Sequence, residues 1–190
     1  MTREEALRLM QEFTPNESLR RHMYAVEAAM RFMAHRAGAD PEQWGLAGLL
    51  HDFDYERWPN PDHSPVSGHP SEGVKLLRSW QVDAEICDAI MGHAAYTGVA
   101  RTSALARTLF AVDELCGFVV ACALVRPSRS LSDLEVASVV KKLKDKAFAR
   151  GVSRDDVHQG AAELGVPLPE LIGMVLEALR PYERELGLGV

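Results

Sequence analysis

Four side chains that can ligate a metal or carry a proton lie in segments that the hydrophobic pattern predicts to be buried. His22 lies on the apolar stripe of its predicted helix, and His51-Asp52 ends another apolar segment. Asp113 lies midway along the most hydrophobic segment of the chain. A lone inward histidine is typical of a hydrogen-bonded core residue, and a lone buried aspartate is typical of a salt bridge. Two buried carboxylates together with inward histidines instead indicate a metal site, because an ionised carboxylate is costly to bury without a cation.

The elements that must position these side chains are all predicted to be helices. Apolar residues recur at helical spacing almost throughout, and no segment alternates with period two for long enough to indicate a strand. Capping residues and prolines mark the helix boundaries. The predicted helices run from Thr2 to about Thr14, over about 16–37, 41–52, 70–80, 84–93 and 103–124, and onward from near Ser132, Ser153 and Pro169. An irregular segment, 54–68, separates the third helix from the fourth. We therefore predict an all-α protein.

Composition limits the function classes further. The chain has 190 residues with 21 basic and 27 acidic side chains, and this net charge of −6 disfavours a role in binding duplex nucleic acid. The longest apolar stretch, 115–125, is too short to span a bilayer, and the N-terminus lacks a signal-peptide pattern. Three cysteines in apolar surroundings form no C-x-x-C pair. We expect one cytoplasmic domain over residues 1–190, not associated with membranes.

The ordered set of His22, His51-Asp52 and Asp113 resembles the HD-domain metal-dependent phosphohydrolase superfamily. The resemblance extends from about Leu19 to Leu124. It implies a helical HD-like core over residues 16–126, followed by a C-terminal helical extension over 127–190. A bare His-Asp dipeptide carries little information, but the ordered set on predicted helices is specific.

Two further matches indicate a second metal. The segment 68–73 reads Gly-His-Pro-Ser-Glu-Gly, similar to the H-P-x-x-G element of HD members that hold two metals. His93 occupies the place of the second additional histidine in those members. The sequence departs from the family at its HDIG tetrapeptide, which reads His51-Asp52-Phe53-Asp54 here. Because the last two positions are not ligands in the family, this departure concerns the shape of the pocket.

The resemblance implies a binuclear centre in which Asp52 bridges two ions. Its implied ligands are His22, His51, Asp52, His69, His93 and Asp113. Mixed imidazole and carboxylate ligands suit Mn²⁺, Fe²⁺, Co²⁺, Ni²⁺ or Zn²⁺, and the sequence does not choose among them. We expect a metal-dependent phosphohydrolase that attacks a small phosphate ester or nucleotide with metal-activated hydroxide.

Phosphoryl transfer also needs cations for the non-bridging oxygens and a proton donor for the leaving group. The predicted substrate-binding residues are Lys75, Arg78, Arg101, Lys141 and Lys144, with Arg101 preferred because it follows the His93 helix. Lys141 and Lys144 lie on one face of the basic helix predicted after Ser132, and the alternative interpretation is that this face is only a solvated charged surface. Asp54 and Glu72 join Asp52 as predicted catalytic residues, in the role of general acid. His63, in the irregular segment, and Tyr96, after His93, are weaker candidates for substrate contacts.

Two other functions are compatible with the sequence. The same six-ligand pattern resembles the di-iron HD-fold oxygenases, of which myo-inositol oxygenase is the known example, so oxygen-dependent turnover with iron would support that alternative. A non-catalytic metal-binding regulatory module is the second alternative. Degenerate modules usually lose ligands, whereas the complete set is present here.

The bridging role gives a first prediction. Asp52→Ala should remove bound metal and phosphohydrolase activity together, because the bridging ligand must be anionic. Elemental analysis of the purified variant beside the wild type, with an activity assay on the same samples, measures both quantities. Retention of the wild-type metal content by the variant would contradict the bridging role.

Overall fold

The computed structural model describes residues 1–189, and over these residues the protein consists of nine α-helices without strands. The prediction of an all-α fold is confirmed. The helices are α1 (Arg3–Phe13), α2 (Glu17–Ala37), α3 (Pro41–Leu50), α4 (Ser71–Ser79), α5 (Ala84–His93), α6 (Ala104–Leu124), α7 (Val136–Leu143), α8 (Arg154–Leu164) and α9 (Leu168–Leu179), with short 3₁₀ turns at Ala95–Thr97 and Arg180–Tyr182. None of the helices within residues 1–189 is long and apolar enough to cross a membrane.

Side-chain caps begin most of the helices at the predicted positions. Thr2 and Glu5 form a reciprocal capping box on α1, and Asn16 accepts hydrogen bonds from the first backbone amides of α2. Asp40, with a proline after it, caps α3, and Ser103 caps α6. These caps satisfy amides that would otherwise lack partners, so they determine where each helix starts.

The predicted start of a helix near Ser132, with Ser132 and Glu135 as its capping box, is wrong. The Ser132 hydroxyl lies 2.6 Å from the Ser130 hydroxyl, so it is engaged within the preceding turn. Helix α7 begins only at Val136, and Glu135 occupies the cap position without a side-chain hydrogen bond. Helix α7 also ends at Leu143, so Lys144 and Lys146 lie beyond it.

Helix α6 is the centre of the fold. Its side chains are buried on most sides, and it packs against α2, α5, α8 and α9. A nearly all-apolar helix is stable in this position because other helices cover most of its circumference. One hydrophobic cluster includes residues of all nine helices, so α7–α9 share the core that the HD-like segment builds. The site residue Asp113 is thus carried by the most enclosed element.

Two glycines allow helices to approach closely near the site. A Cβ atom on Gly48 of α3 would lie 2.9 Å from the backbone of Glu27 in α2. A Cβ atom on Gly160 of α8 would lie 2.5 Å from the Cα atom of Ala111 in α6. Both neighbours are backbone atoms, which cannot give way as a flexible side chain would.

The packing of α8 on α6 gives a second prediction. Gly160→Ala should lower the free energy of unfolding, because overpacking against backbone costs about 1–3 kcal/mol and outweighs the helix-propensity gain of about 1 kcal/mol. Urea denaturation measures the change.

Gly173→Ala in α9 is the matched control. A Cβ atom there would meet only Val136 Cγ2 at 3.7 Å, an ordinary contact, so the stability should rise by about 0.5–1 kcal/mol. Equal effects of the two substitutions would show that α8 does not approach α6 as described.

Candidate metal centre

Three helices bring the residues of the HD pattern together. His22 comes from α2, His51 follows α3, and Asp113 comes from α6. His22 Nε2 lies 2.9 Å from Asp113 Oδ1 and 3.2 Å from His51 Nε2, and His51 Nε2 lies 3.3 Å from Asp113 Oδ1. The three side chains form a first group of potential ligands whose atoms all lie within 4.8 Å of one another.

A second group consists of Asp52, His69 and His93, with the same limit of 4.8 Å between ligand atoms. His69 lies just before α4, and His93 is the last residue of α5. The Nε2 atoms of His69 and His93 lie 3.4 and 3.5 Å from Asp52 Oδ1. The structure therefore brings all six predicted ligands into one cluster.

The two oxygens of Asp52 face different groups. Oδ1 faces the histidines of the second group, whereas Oδ2 lies 3.4 Å from His51 Nε2 and 3.9 Å from His22 Nε2 in the first group. One carboxylate therefore stands between the two sets of imidazoles, the position that a bridging ligand requires.

Backbone carbonyls orient two of the imidazole rings. His51 Nδ1 lies 2.8 Å from the carbonyl oxygen of Gly48, and His93 Nδ1 lies 2.5 Å from that of Ile90. A ring nitrogen that donates to a carbonyl carries the proton, so the Nε2 lone pair faces the cluster. Each carbonyl lies three residues earlier, at the end of the helix that carries the histidine.

Asp54 orients the third ring. The side chain is fully buried, and its Oδ1 accepts a hydrogen bond of 2.7 Å from His69 Nδ1 while its Oδ2 accepts one of 2.9 Å from the Gly73 amide. A Cβ atom on Gly73 would lie 2.5 Å from Asp54 Cγ, so only glycine fits there. The prediction of Asp54 as a general acid is corrected, because both oxygens are engaged beneath His69 and neither faces the cavity.

Charge inside the cluster is balanced between carboxylates and imidazoles. Burial disfavours a charged ring, but the facing carboxylates of Asp52 and Asp113 outweigh burial and raise the pKa of His51 well above its ordinary value. Burial would likewise raise the pKa of Asp52, but His51 and the neighbouring imidazoles outweigh it and lower that pKa well below the usual range. The carboxylates thus require positive charge facing them. Imidazole nitrogens and carboxylate oxygens are the donors that divalent transition metals prefer, so the residues present fit such ions.

A cavity of about 810 Å³ opens over the cluster. Tyr55, His63 and Tyr96 stand around it, with the rings of His63 and Tyr96 stacked at 4.7 Å. The Tyr96 hydroxyl also donates a 2.8 Å hydrogen bond to the carbonyl oxygen of His69. Both weaker sequence candidates, His63 and Tyr96, therefore line this cavity.

Sequence reasoning missed Glu114 as a residue of the cavity. It accepts a 3.1 Å hydrogen bond from the Ser153 amide, and burial together with the neighbouring Asp113 raises its pKa to about 7. The available signal was an acidic residue within an apolar helix, directly after a predicted ligand. Among the described residues that line the cavity, none is lysine or arginine.

The preferred phosphate-binding residue, Arg101, is engaged elsewhere. Its guanidinium donates two hydrogen bonds, of 2.8 and 2.6 Å, to the Glu163 carboxylate and a third, of 2.9 Å, to the Gly92 carbonyl oxygen. It also lies 3.7 Å from the centroid of the Phe110 ring. The prediction is corrected: Arg101 links the end of α5 to α8 and does not line the cavity.

The other predicted phosphate-binding cations also lie outside the cavity lining. Lys75 forms an ion pair of 2.7 Å with Glu72, so the predicted general acid Glu72 is engaged as well. Arg78 forms an ion pair of 2.9 Å with Asp88. Lys141 lines a separate cavity beside Cys122, and Lys144 is exposed after the end of α7. Lys75 and Arg78 are therefore paired with acidic side chains, and Lys141 and Lys144 lie away from the cavity over the cluster.

The fold and the site define an all-helical protein built around a cluster of histidine and aspartate side chains that can hold metal. A family model described as "HD domain" matches residues 19–117, more than half of the chain, and the protein belongs to the HD domain family. This family includes metal-dependent phosphohydrolases and binds divalent metals. No solved structure matches the chain.

The support of His69 by Asp54 gives a third prediction. Asp54→Asn should weaken metal binding in the group of Asp52, His69 and His93 by about 10–100-fold, because a neutral amide makes His69 a weaker ligand. Metal titration with a competing chelator, followed by elemental analysis, measures the loss.

Asp62→Asn is the control, since Asp62 is an exposed acid of the same segment. Asp62→Asn should leave the metal affinities of both groups of potential ligands unchanged. If Asp54→Asn also binds metal like the wild type, the interaction between Asp54 and His69 does not tune this group.

Proposed function

We propose that the protein is a metal-dependent phosphohydrolase that acts on a small phosphate ester or nucleotide. The observation that carries the proposal is the Asp52 carboxylate, whose two oxygens face two separate groups of potential ligands at 3.4–3.9 Å. A reaction site with two cations separated by one carboxylate suits a phosphoryl group, whose charge is spread over several oxygens.

The six residues of the cluster would hold two ions. His22, His51 and Asp113 would hold one, His69 and His93 the other, and Asp52 would bind both. Two divalent ions would lower the pKa of a water molecule and withdraw charge from the phosphoryl oxygens. Mn²⁺, Fe²⁺, Co²⁺, Ni²⁺ and Zn²⁺ all suit these donors.

The chain itself contributes orientation and enclosure. Hydrogen bonds from the ring Nδ1 atoms hold His51, His69 and His93 with their Nε2 atoms toward the cluster. The cavity above is walled by Tyr55 and by the stacked pair of His63 and Tyr96, which limit the size of the group attached to the phosphate. We place the activity in the cytoplasm, where the three free, buried cysteines would stay reduced.

A di-iron oxygenase is the second candidate function. The observation that favours it is the lining of the cavity, which within the described chain has no lysine or arginine to select a phosphate. A neutral polyol would be accommodated by such a lining as well as a phosphate ester. The two candidates differ in their need for dioxygen, which makes them separable by experiment.

The fourth prediction tests metal content and reaction together. Protein purified anaerobically should hold two transition-metal equivalents, falling toward one in His69→Ala, and should release phosphate from an ester without dioxygen. Elemental analysis is followed by assays on p-nitrophenyl phosphate, bis(p-nitrophenyl) phosphate and nucleoside monophosphates with each of the five metals. His35→Ala, an exposed histidine of α2, is the control and should behave like the wild type.

Each other outcome selects another function. Turnover of a polyol that needs iron and consumes dioxygen would establish the oxygenase and exclude the phosphohydrolase. A single equivalent that His69→Ala leaves unchanged would reduce the site to His22, His51, Asp52 and Asp113 and exclude the oxygenase. Absence of metal even after reloading would exclude both enzymes and leave a non-catalytic regulatory module that uses the helical scaffold without metal.

A further inference from the structure

A second cavity adjoins the first on the other side of His22. Its volume is about 260 Å³, and it shares His22 and Gly117 with the cavity over the metal cluster. A molecule bound at the cluster can therefore extend past His22 without leaving the protein surface. The second cavity is formed by the start of α2, the C-terminal half of α6 and the chain around Gly187.

Gly117 lies at the boundary of the two cavities. It lies one helical turn after Asp113 on α6 and contributes no side chain to either wall. A Cβ atom at this position would stand 3.7 Å from His22 Nδ1, so a larger side chain would project over the His22 ring. Glycine leaves that space open.

Arg21 supplies the positive charge that the first cavity lacks. Among the described residues that line either cavity, it is the one lysine or arginine. Its Nη2 atom lies 3.3 Å from the Glu17 carboxylate, and the two side chains are 48% and 76% exposed. An ion pair this exposed contributes little to stability. The guanidinium packs on Gly187, where a Cβ atom would lie 2.5 Å from Nη1.

We infer that the substrate carries a second anionic group, which Arg21 binds in the adjoining cavity while the phosphate to be cleaved lies at the metal cluster. This inference rests on the proposed phosphohydrolase function. An arginine fork binds a phosphate or carboxylate through two parallel hydrogen bonds. The wall opposite Arg21 is apolar, formed by Val120, Ala121 and Leu124, and suits a carbon chain that joins the two anionic groups.

The fifth prediction measures binding with probes that cannot be hydrolysed. Calorimetric titration of the Mn²⁺-loaded protein compares alkane α,ω-bisphosphonates of increasing chain length with alkyl monophosphonates of the same lengths. At the chain length that spans the two cavities, the bisphosphonate should bind about tenfold more tightly, a factor that corresponds to about 1.4 kcal/mol. Arg21→Gln should abolish this ratio and Arg21→Glu should invert it.

Arg36→Gln is the matched control, because it removes the same charge from an exposed site at the other end of α2. It should keep the wild-type ratio. A ratio near one in the wild type, or a ratio that Arg21→Gln leaves intact, would overturn the inference.

The binding readout separates this inference from the proposed function. A tenfold preference lost in Arg21→Gln, in a protein that hydrolyses none of the esters, would uphold the second anion site and reject the phosphohydrolase. Hydrolysis of simple monoesters without any preference for binding bisphosphonates would support the phosphohydrolase function and reject the second anion site. The same comparison can be made in turnover, as the ratio of kcat/KM for alkanediol bisphosphates and alkyl phosphates.

Discussion

The burial of two carboxylates among four imidazoles is the constraint on which the rest of the structure depends. Asp52 and Asp113 keep only 15% and 17% of their side-chain surface exposed, and ionised carboxylates so enclosed are stabilised by the positive charge that faces them. Protonated histidines can provide that charge, and so can metal ions. The helices that carry these groups, α2, α3, α5 and α6, therefore have to converge on one point, and glycine at position 48 lets α2 and α3 approach closely enough.

Hydrogen bonds from the Nδ1 atoms orient the rings of His51, His69 and His93, and the acceptor is not the same kind of group for all three. Carbonyl oxygens of the preceding helical turn orient His51 and His93, so those two rings need only the helix that carries them. His69 lies before α4, so no carbonyl of a preceding turn of that helix is available to its ring. The Asp54 carboxylate takes the place of the carbonyl, and Gly73 leaves room for it.

The helices and the six residues that cluster as potential metal ligands could be predicted because each leaves a local signal. Thr2, Asn16 and Asp40 mark helix starts within a few residues, and a polar side chain on an apolar stripe is visible in the sequence alone. The contacts of the predicted phosphate-binding cations could not be predicted, since the partner of Arg101 is Glu163, 62 residues later, in a helix whose placement no local pattern gives. Glu114 was missed for the same reason, because its exposure to the cavity depends on where α8 begins.

The segment just before α8 affects how the cavity over the cluster can vary in shape. Gly151 and Val152 line the cavity, and the Ser153 amide donates a hydrogen bond to Glu114, so a segment outside the HD-like core forms part of the cavity wall. The six potential ligands all come from residues 22–113, whereas this wall comes from residues that follow them. Insertions or replacements around Gly151 can therefore change the shape of the cavity while the six clustered histidine and aspartate side chains stay in place.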